Sequence, residues 1–372
     1  MKLIILKNHL VDGLFSLERS VSENPNLPIL KNFLIKTEDN KILFSATNLE
    51  IAVTSIVPGK IIESGETTAP FSITNNIVKN LVAERVSVEL KNNKLIISTE
   101  NYEALLQSQE TKDFPIIPDV RNKNSFFEID IELLKEGLSS VVVATQHSDI
   151  RPEISGVFLS LSRNDGLVLV ATDSFRLSKK TINLESFETK MLEETSAIIP
   201  LKTAAEVLRI FKKEEGKIKA FIEPNQIVFE TTSAKLTSHL IDGKFPEYET
   251  VIPKNTPTEI IVEREEFINA VKLVSSFSGR INDLNLKVAD NKKSLEIGSA
   301  SSSLGENKYT VPARVKGEKI SIVFNWKYLL DGLRVYGKSP EIILGVTSSD
   351  RPAVVKSLNE PTLVYVVMPL KA

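Results

Sequence analysis

"VFLSLSRNDGLVLVATDSFRL", residues Val157 to Leu177, decides how the chain is read. Two apolar runs flank Asn164-Asp165-Gly166, residue types that tolerate the positive φ of a tight hairpin. The second run leads into Thr172, Asp173, Ser174 and Arg176. A hydroxyl beside a carboxylate marks either catalysis or the polar end of a strand at a binding surface.

The same hairpin pattern recurs on both sides. "FLIKTEDNKILFSA" turns at Glu38-Asp39-Asn40, and "LNLKVADNKKSLEI" turns at Asp290-Asn291. An amphipathic helix precedes each hairpin: "NHLVDGLFSLERSV" from Asn8, "IELLKEGLSSVVVATQ" from Ile131 and "REEFINAVKLVSSF" from Arg264. In the first, Leu10, Leu14, Leu17 and Val21 fall on one helical face. A second helix follows each hairpin, from Thr74, Leu201 and Asn325, and more strands come after it. The period is roughly 125 residues. It predicts an α+β protein of three similar domains, each with two helices and antiparallel sheets. Pro- and Asn-rich stretches at 118–124 and 253–257 place the boundaries, giving domains 1–122, 123–254 and 255–372.

At 372 residues the chain exceeds one ordinary core. Forty-six basic against forty-eight acidic side chains announce no strongly basic nucleic-acid binder, although a local basic surface remains open. The absence of cysteine removes disulfides, thiolate metal sites and cysteine nucleophiles. The opening "MKLIILKNHL" is too short in apolar residues for a signal core, and no run suits a membrane span. The expected location is the cytoplasm, with no membrane partner.

A search for chemistry returns little. His9, His147 and His239 share no metal-ligand spacing. Ser174 lacks the glycine-flanked elbow of a hydrolase nucleophile. No phosphate-cradling glycine loop appears, and no metal or other cofactor is implied. The acids of "EREE", Glu263 to Glu266, suit a helix start. The second helix of each third carries net positive charge, counted over 74–85, 201–213 and 325–338, and the first helices carry no such excess. Second helices sharing one surface would present it to phosphate; otherwise they are solvated exteriors.

Six stretches carry a resemblance: "PILKNFLI" (Pro28–Ile35), "ATNLEI" (Ala46–Ile51), "DFP" (Asp113–Pro115), "VATDSFRL" (Val170–Leu177), "IDGKFPEY" (Ile241–Tyr248) and "YVVMPLKA" (Tyr365–Ala372). In this order and spacing they resemble the bacterial DNA polymerase sliding clamp family, the β subunit of the polymerase III holoenzyme. The resemblance covers essentially the whole chain. It implies a DNA clamp fold, with a head-to-tail homodimer closed into a six-domain ring around double-stranded DNA, without sequence preference and without catalysis. It also implies partners: the replicative polymerase catalytic subunit, the clamp loader, and repair or translesion polymerases that bind through short linear peptides.

By position, the resemblance implies a peptide pocket of Arg151, Ile154, Thr172, Ser174, Phe175, Arg176, Leu177, Pro246, Val251, Val366, Met368, Pro369 and Leu370. It matches Lys79, Lys202 and Arg209 to DNA-facing positions, and the helix pattern adds Lys327 and Arg334. Ala104 and Leu106 match one side of the subunit joint, Leu273 and Val274 the other. Some positions depart from the family. Phe175 replaces a common histidine, Thr250 stands where some relatives place arginine, and Ala104 is smaller than usual. Asn24 occupies a position that is often basic, and the tail ends "LKA". Two other readings stay open: a peptide-binding scaffold without DNA, and a hydrolase using Ser174 and Asp173.

Overall fold

Among the described residues, each of six α-helices follows directly on a β-strand, which divides every third of the chain into two half-units. The helices are α1 (Lys7–Leu17), α2 (Phe71–Asn80), α3 (Ile131–Val142), α4 (Leu201–Ile210), α5 (Arg264–Ser275) and α6 (Trp326–Arg334). The strands that lead into them are Lys2–Leu6, Glu66–Pro70, Phe127–Asp130, Thr195–Pro200, Thr258–Glu263 and Ser321–Asn325. The computed structural model describes residues 1–370 apart from Glu23 and Leu192. Lys371 and Ala372, the end of the divergent tail, lie outside the described residues.

The hairpins form where the turn residues place them. Asp39 and Asn40 both take positive φ, 47° and 58°, between strands Asn32–Glu38 and Lys41–Thr47. Gly166 has φ 76° at the start of strand Gly166–Thr172, which pairs antiparallel with Gly156–Ser162. A residue with a Cβ would strain there.

Helix starts follow local chemistry. The Glu263 carboxylate caps α5, accepting from the amides of Glu265 (3.0 Å) and Glu266 (2.5 Å). Asn325 caps α6 through the Lys327 amide at 3.0 Å. The expected start of α2 at Thr74 is corrected to Phe71. Thr74 does not cap; its hydroxyl donates back to the Pro70 carbonyl at 2.7 Å from inside the helix. The helix ends fall earlier than the apolar periodicity predicts. Arg85 therefore lies on strand Arg85–Lys91, and Lys212, Lys213 and Lys338 lie beyond α4 and α6. Within the observed bounds, Lys79 stands alone on α2, Lys202 and Arg209 face Glu206 on α4, and Lys327 and Arg334 face Asp331 on α6. Each of these helices thus keeps one net positive charge.

The chain forms two compact units. The first holds a five-stranded sheet ending in Glu103–Gln107 and a nine-stranded sheet. Leu10, Leu14 and Leu17 of α1 are fully or almost fully buried in it. The second holds a twelve-stranded sheet. In that unit α6 lies close on strand Leu363–Val367: a Cβ on Gly332 would meet the Tyr365 ring at 2.5 Å. Strands also pair across the expected domain boundaries. Ala234–His239 pairs with Ile51–Val57, and Arg176–Ile182 pairs with Leu363–Val367. The three-fold repeat is thus a repeat of sequence order, while hydrogen bonding joins neighbouring repeats into shared sheets.

Candidate partner-binding groove and basic helices

The stretch from Thr172 to Leu177 is a hydrogen-bonded turn between two strands of the twelve-stranded sheet. The Asp173 carboxylate accepts from the amides of Phe175 and Arg176, both at 3.0 Å, and from Arg176 Nε at 2.9 Å. The Thr172 hydroxyl donates to the Arg176 carbonyl at 2.7 Å. Ser174 takes φ 76°, the left-handed conformation this turn requires. Its hydroxyl accepts from Arg151 Nη1 at 3.1 Å. The carboxylate is committed to holding the turn and the serine is paired with a cation, so the two are not arranged as nucleophile and base. His147 instead lies 3.2 Å from the exposed Asp149, and His9 Nδ1 lies 3.1 Å from the Pro58 carbonyl oxygen. Among the described residues no cluster of three or more His, Asp or Glu is placed to hold a metal ion.

Beside this turn lies a cavity of about 210 Å³. Arg151, Ile154, Thr172, Ser174, Arg176, Leu177, Pro246, Val251, Val366 and Met368 line it, joined by Glu247 and Tyr248. Ile154, Leu177 and Val366 form the floor and continue into a core with Val168, Val170, Ile198, Phe245 and Val354. Tyr248 packs against the same core, its ring 6.2 Å from that of Phe245. Val251 stands at the mouth, 46% exposed. The floor is therefore aliphatic and rigid, and the rim carries Arg151, which is also held by Glu153 at 3.0 Å. Such a site suits a short apolar segment with polar groups oriented at its edge.

Three residues expected in this pocket do not line it. The Phe175 ring, 59% exposed, turns outside and stacks on Tyr328 of α6 at 6.4 Å. Pro369 and Leu370 leave the cavity to run along strand Ser321–Asn325, where Pro369 bridges Phe324 and the Leu370 amide donates to the Val323 carbonyl at 2.8 Å. Sequence reasoning missed Glu247 and Tyr248. Both stand in the quoted "IDGKFPEY", but only the short helical turn Tyr248–Val251 brings them to the groove.

The basic residues differ in their surroundings. Lys79, Lys202, Lys327 and Arg334 are exposed. Lys79 lies 3.5 Å from Glu18, Arg334 lies 4.0 Å from Asp331, and Lys327 sits over the Trp326 ring at 5.5 Å. Arg209 departs from the expectation. Its side chain is 12% exposed and folds back on the protein. The joint residues divide likewise. Ala104 is half-buried, but Leu106 (7% exposed) and Val274 (1%) lie inside their own units. Leu273, also expected at the joint, is exposed (58%), and so is Leu105 (55%), the neighbour of Leu106. Strand alternation turns Leu105 outward in place of Leu106, and the helix face turns Leu273 outward and Val274 inward.

Repeated strand–helix units that share antiparallel sheets, with an apolar groove at a strand end, define a clamp-type binding protein. Family models for the N-terminal, central and C-terminal domains of the DNA polymerase III beta subunit match residues 1–118, 128–247 and 249–371, in that order. The chain belongs to this family of sliding clamps. The beta sliding clamp of Bacillus subtilis is 28% identical over the whole of both chains. That of Chlamydia muridarum is 26% identical, covering 100% of this chain and 99% of the other. Among solved structures, the Bacillus subtilis sliding clamp superposes with a TM-score of 0.93 at 27% identity, covering 100% of this chain and 99% of the other. The Thermotoga maritima beta subunit gives 0.90 at 25%, with the same coverage. Among the described residues no helix is long and apolar enough to cross a membrane.

Proposed function

We propose that this clamp closes as a head-to-tail homodimer around double-stranded DNA, without catalysis of its own. It then tethers the replicative polymerase, the clamp loader and repair polymerases through short peptides in the groove. The groove is the observation that carries this reading: an aliphatic floor continuous with a core, rimmed by Arg151 and open at Val251. It can seat apolar anchors without reorganising. The groove residues Arg151, Ile154, Thr172, Ser174, Arg176, Leu177, Pro246, Val251, Val366 and Met368 would contact the peptide. Phe175 would meet it only outside the cavity.

Of the strand edges that have no neighbour among the described residues, two support the dimer. Glu103–Gln107 ends the five-stranded sheet. The 305–312 part of Gly305–Lys316 pairs, among the described residues, with Ser294–Ser301 alone. Edges of this kind invite pairing with another chain, and two different edges on one chain give a heterologous contact that can close a ring. Leu105 stands on the first edge strand. Leu273 stands beside the second, its carbonyl accepting from Asn307 Nδ2 at 3.2 Å. A ring holds DNA by topology, so one net charge on each of α2, α4 and α6 gives weak phosphate attraction that permits sliding. Lys79, Lys202, Lys327 and Arg334 would supply it.

The deciding experiment loads the protein onto circular DNA with a clamp loader and then linearises the DNA. Retention on the circle and release from the line support the ring. Equal retention on both forms, or none on either with intact peptide binding, would favour a scaffold that does not encircle DNA.

A further inference from the structure

Arg209 was expected to face DNA, yet its guanidinium is spent inside the first compact unit. Nε and Nη2 both donate to Glu206 Oε2, at 2.9 and 2.7 Å. Nη1 donates to the Phe15 carbonyl at 2.6 Å and Nη2 to the Ser16 carbonyl at 3.0 Å. Arginine has five N–H groups, and these four bonds leave one. The cation also lies over the Phe15 ring, 4.6 Å from its centre.

The other end of each bond explains the arrangement. Phe15 and Ser16 lie in the last turn of α1, where the Phe15 carbonyl takes only a long bond from the Glu18 amide at 3.3 Å and the helix dipole favours a cation. Glu206 is 4% exposed, and a buried carboxylate must be paired to stay charged. Arg19 reaches its other oxygen at 3.5 Å. Glu18, just past α1, pairs with Lys79 of α2 at 3.5 Å. The corner at 15–19 therefore gathers the ends of α1, α2 and α4.

We propose that Arg209 and Glu206 are a positioning pair that clasps α4 onto the end of α1, and that Arg209 makes no phosphate contact. Apart from that one remaining N–H, a phosphate would have to displace either a buried carboxylate or the carbonyls of α1. The bonds leave from three separate nitrogens of a planar fork, a span and orientation that the single point-like ammonium of lysine does not match. Replacement by lysine therefore separates charge from clasp. This inference uses the DNA-facing reading of α4 only in one of its two readouts.

Full-length Arg209→Lys, Arg209→Ala and Glu206→Gln are compared with Lys202→Ala. Hydrogen exchange follows amides at the end of α1 and along α4. DNA association is measured against salt. The clasp predicts that exchange at both helix ends rises at least tenfold in all three clasp variants, Arg209→Lys included, while the logarithmic salt slope of both Arg209 variants stays at the wild-type value. Lys202→Ala is expected to lower that slope by about 0.9. A fall of that size in Arg209→Ala, restored by Arg209→Lys, would overturn the proposal. So would wild-type exchange in all three clasp variants. If Lys202→Ala also leaves the slope unchanged, the DNA-facing reading of α4 fails, and the exchange result still decides the clasp. Should Arg209→Ala not fold, Arg209→Lys and Glu206→Gln carry the test.

Discussion

Arg176 Nη1 donates to Asp331 Oδ2 at 2.6 Å, tying the turn at the groove to helix α6. The same guanidinium holds Asp173 at 2.9 Å and lies over the Tyr328 ring at 4.4 Å. It is 10% exposed. One side chain thus organises the groove's strand end, its left-handed turn and the helix behind it.

Replacing Arg176 with alanine would leave Asp173 and Asp331 without their main partner. The expected loss is about 2–3 kcal/mol of stability, from hydrogen bonds to charged groups in a buried setting. Asp331→Asn keeps a neutral acceptor and is expected to lose less. Thermal melting of both variants, with peptide affinity measured alongside, checks the order. A melting temperature unchanged in Arg176→Ala would contradict this account.

Leu273→Asp and Leu105→Asp place a charge on exposed apolar surface. Each is expected to raise the dimer dissociation constant by tenfold or more, about 1.4 kcal/mol, with little change in melting of the isolated chain. Val274→Asp puts a charge into a site that is 1% exposed and is expected to unfold the surrounding structure. Sedimentation at low concentration, with circular dichroism as the folding control, distinguishes a lost joint from a lost fold.

Stability should fall in acid partly through Glu136. Lys338 donates to its carboxylate at 2.9 Å, and burial opposes this pairing by less than Lys338 and the nearby Lys180 promote it, so the group is held below the usual carboxylate range. A depressed carboxylate contributes stability above its unfolded value, about 4.3, and loses that contribution as pH falls through the lower folded value. Glu136→Gln is expected to cost at most about 1 kcal/mol at neutral pH, since the pair is partly solvated. It should also flatten the stability curve below pH 5. Denaturation titrations of both proteins between pH 7 and pH 3 would show the two curves converging in acid.

Ser174 sits at φ 76°, where side chains branched at Cβ are strained. Ser174→Gly is expected to change stability by less than about 1 kcal/mol, because relief of strain offsets added chain entropy. Ser174→Val is expected to cost about 1–3 kcal/mol. Equal melting of the two variants would show that the turn does not demand this conformation.

The hairpins were legible because their turns are local. Asp39 and Asn40 need no distant partner to favour positive φ. The helix starts at Ile131, Leu201 and Arg264 were equally readable from apolar spacing and, at Glu263, from a capping acid. Helix ends were not. α1 stops at Leu17 although the apolar face continues to Val21, and the cation that meets its last carbonyls comes from Arg209. The strand Lys2–Leu6 escaped notice because a short apolar run lacks a period long enough to identify it.

The sequence by itself determined the three-fold α+β order, the turns, most of the groove's lining and the family. These rest on local propensity and on motifs whose order survives in one dimension. Only the tertiary structure decided where the longer side chains went. Phe175 swings out to Tyr328, Arg209 turns inward to Glu206, and Leu105 and Leu273 are exposed while Leu106 and Val274 are buried. An arginine has the same charge wherever it points. Which acceptor it meets depends on chain segments brought close by folding, as Arg176 meets Asp331 across 155 positions.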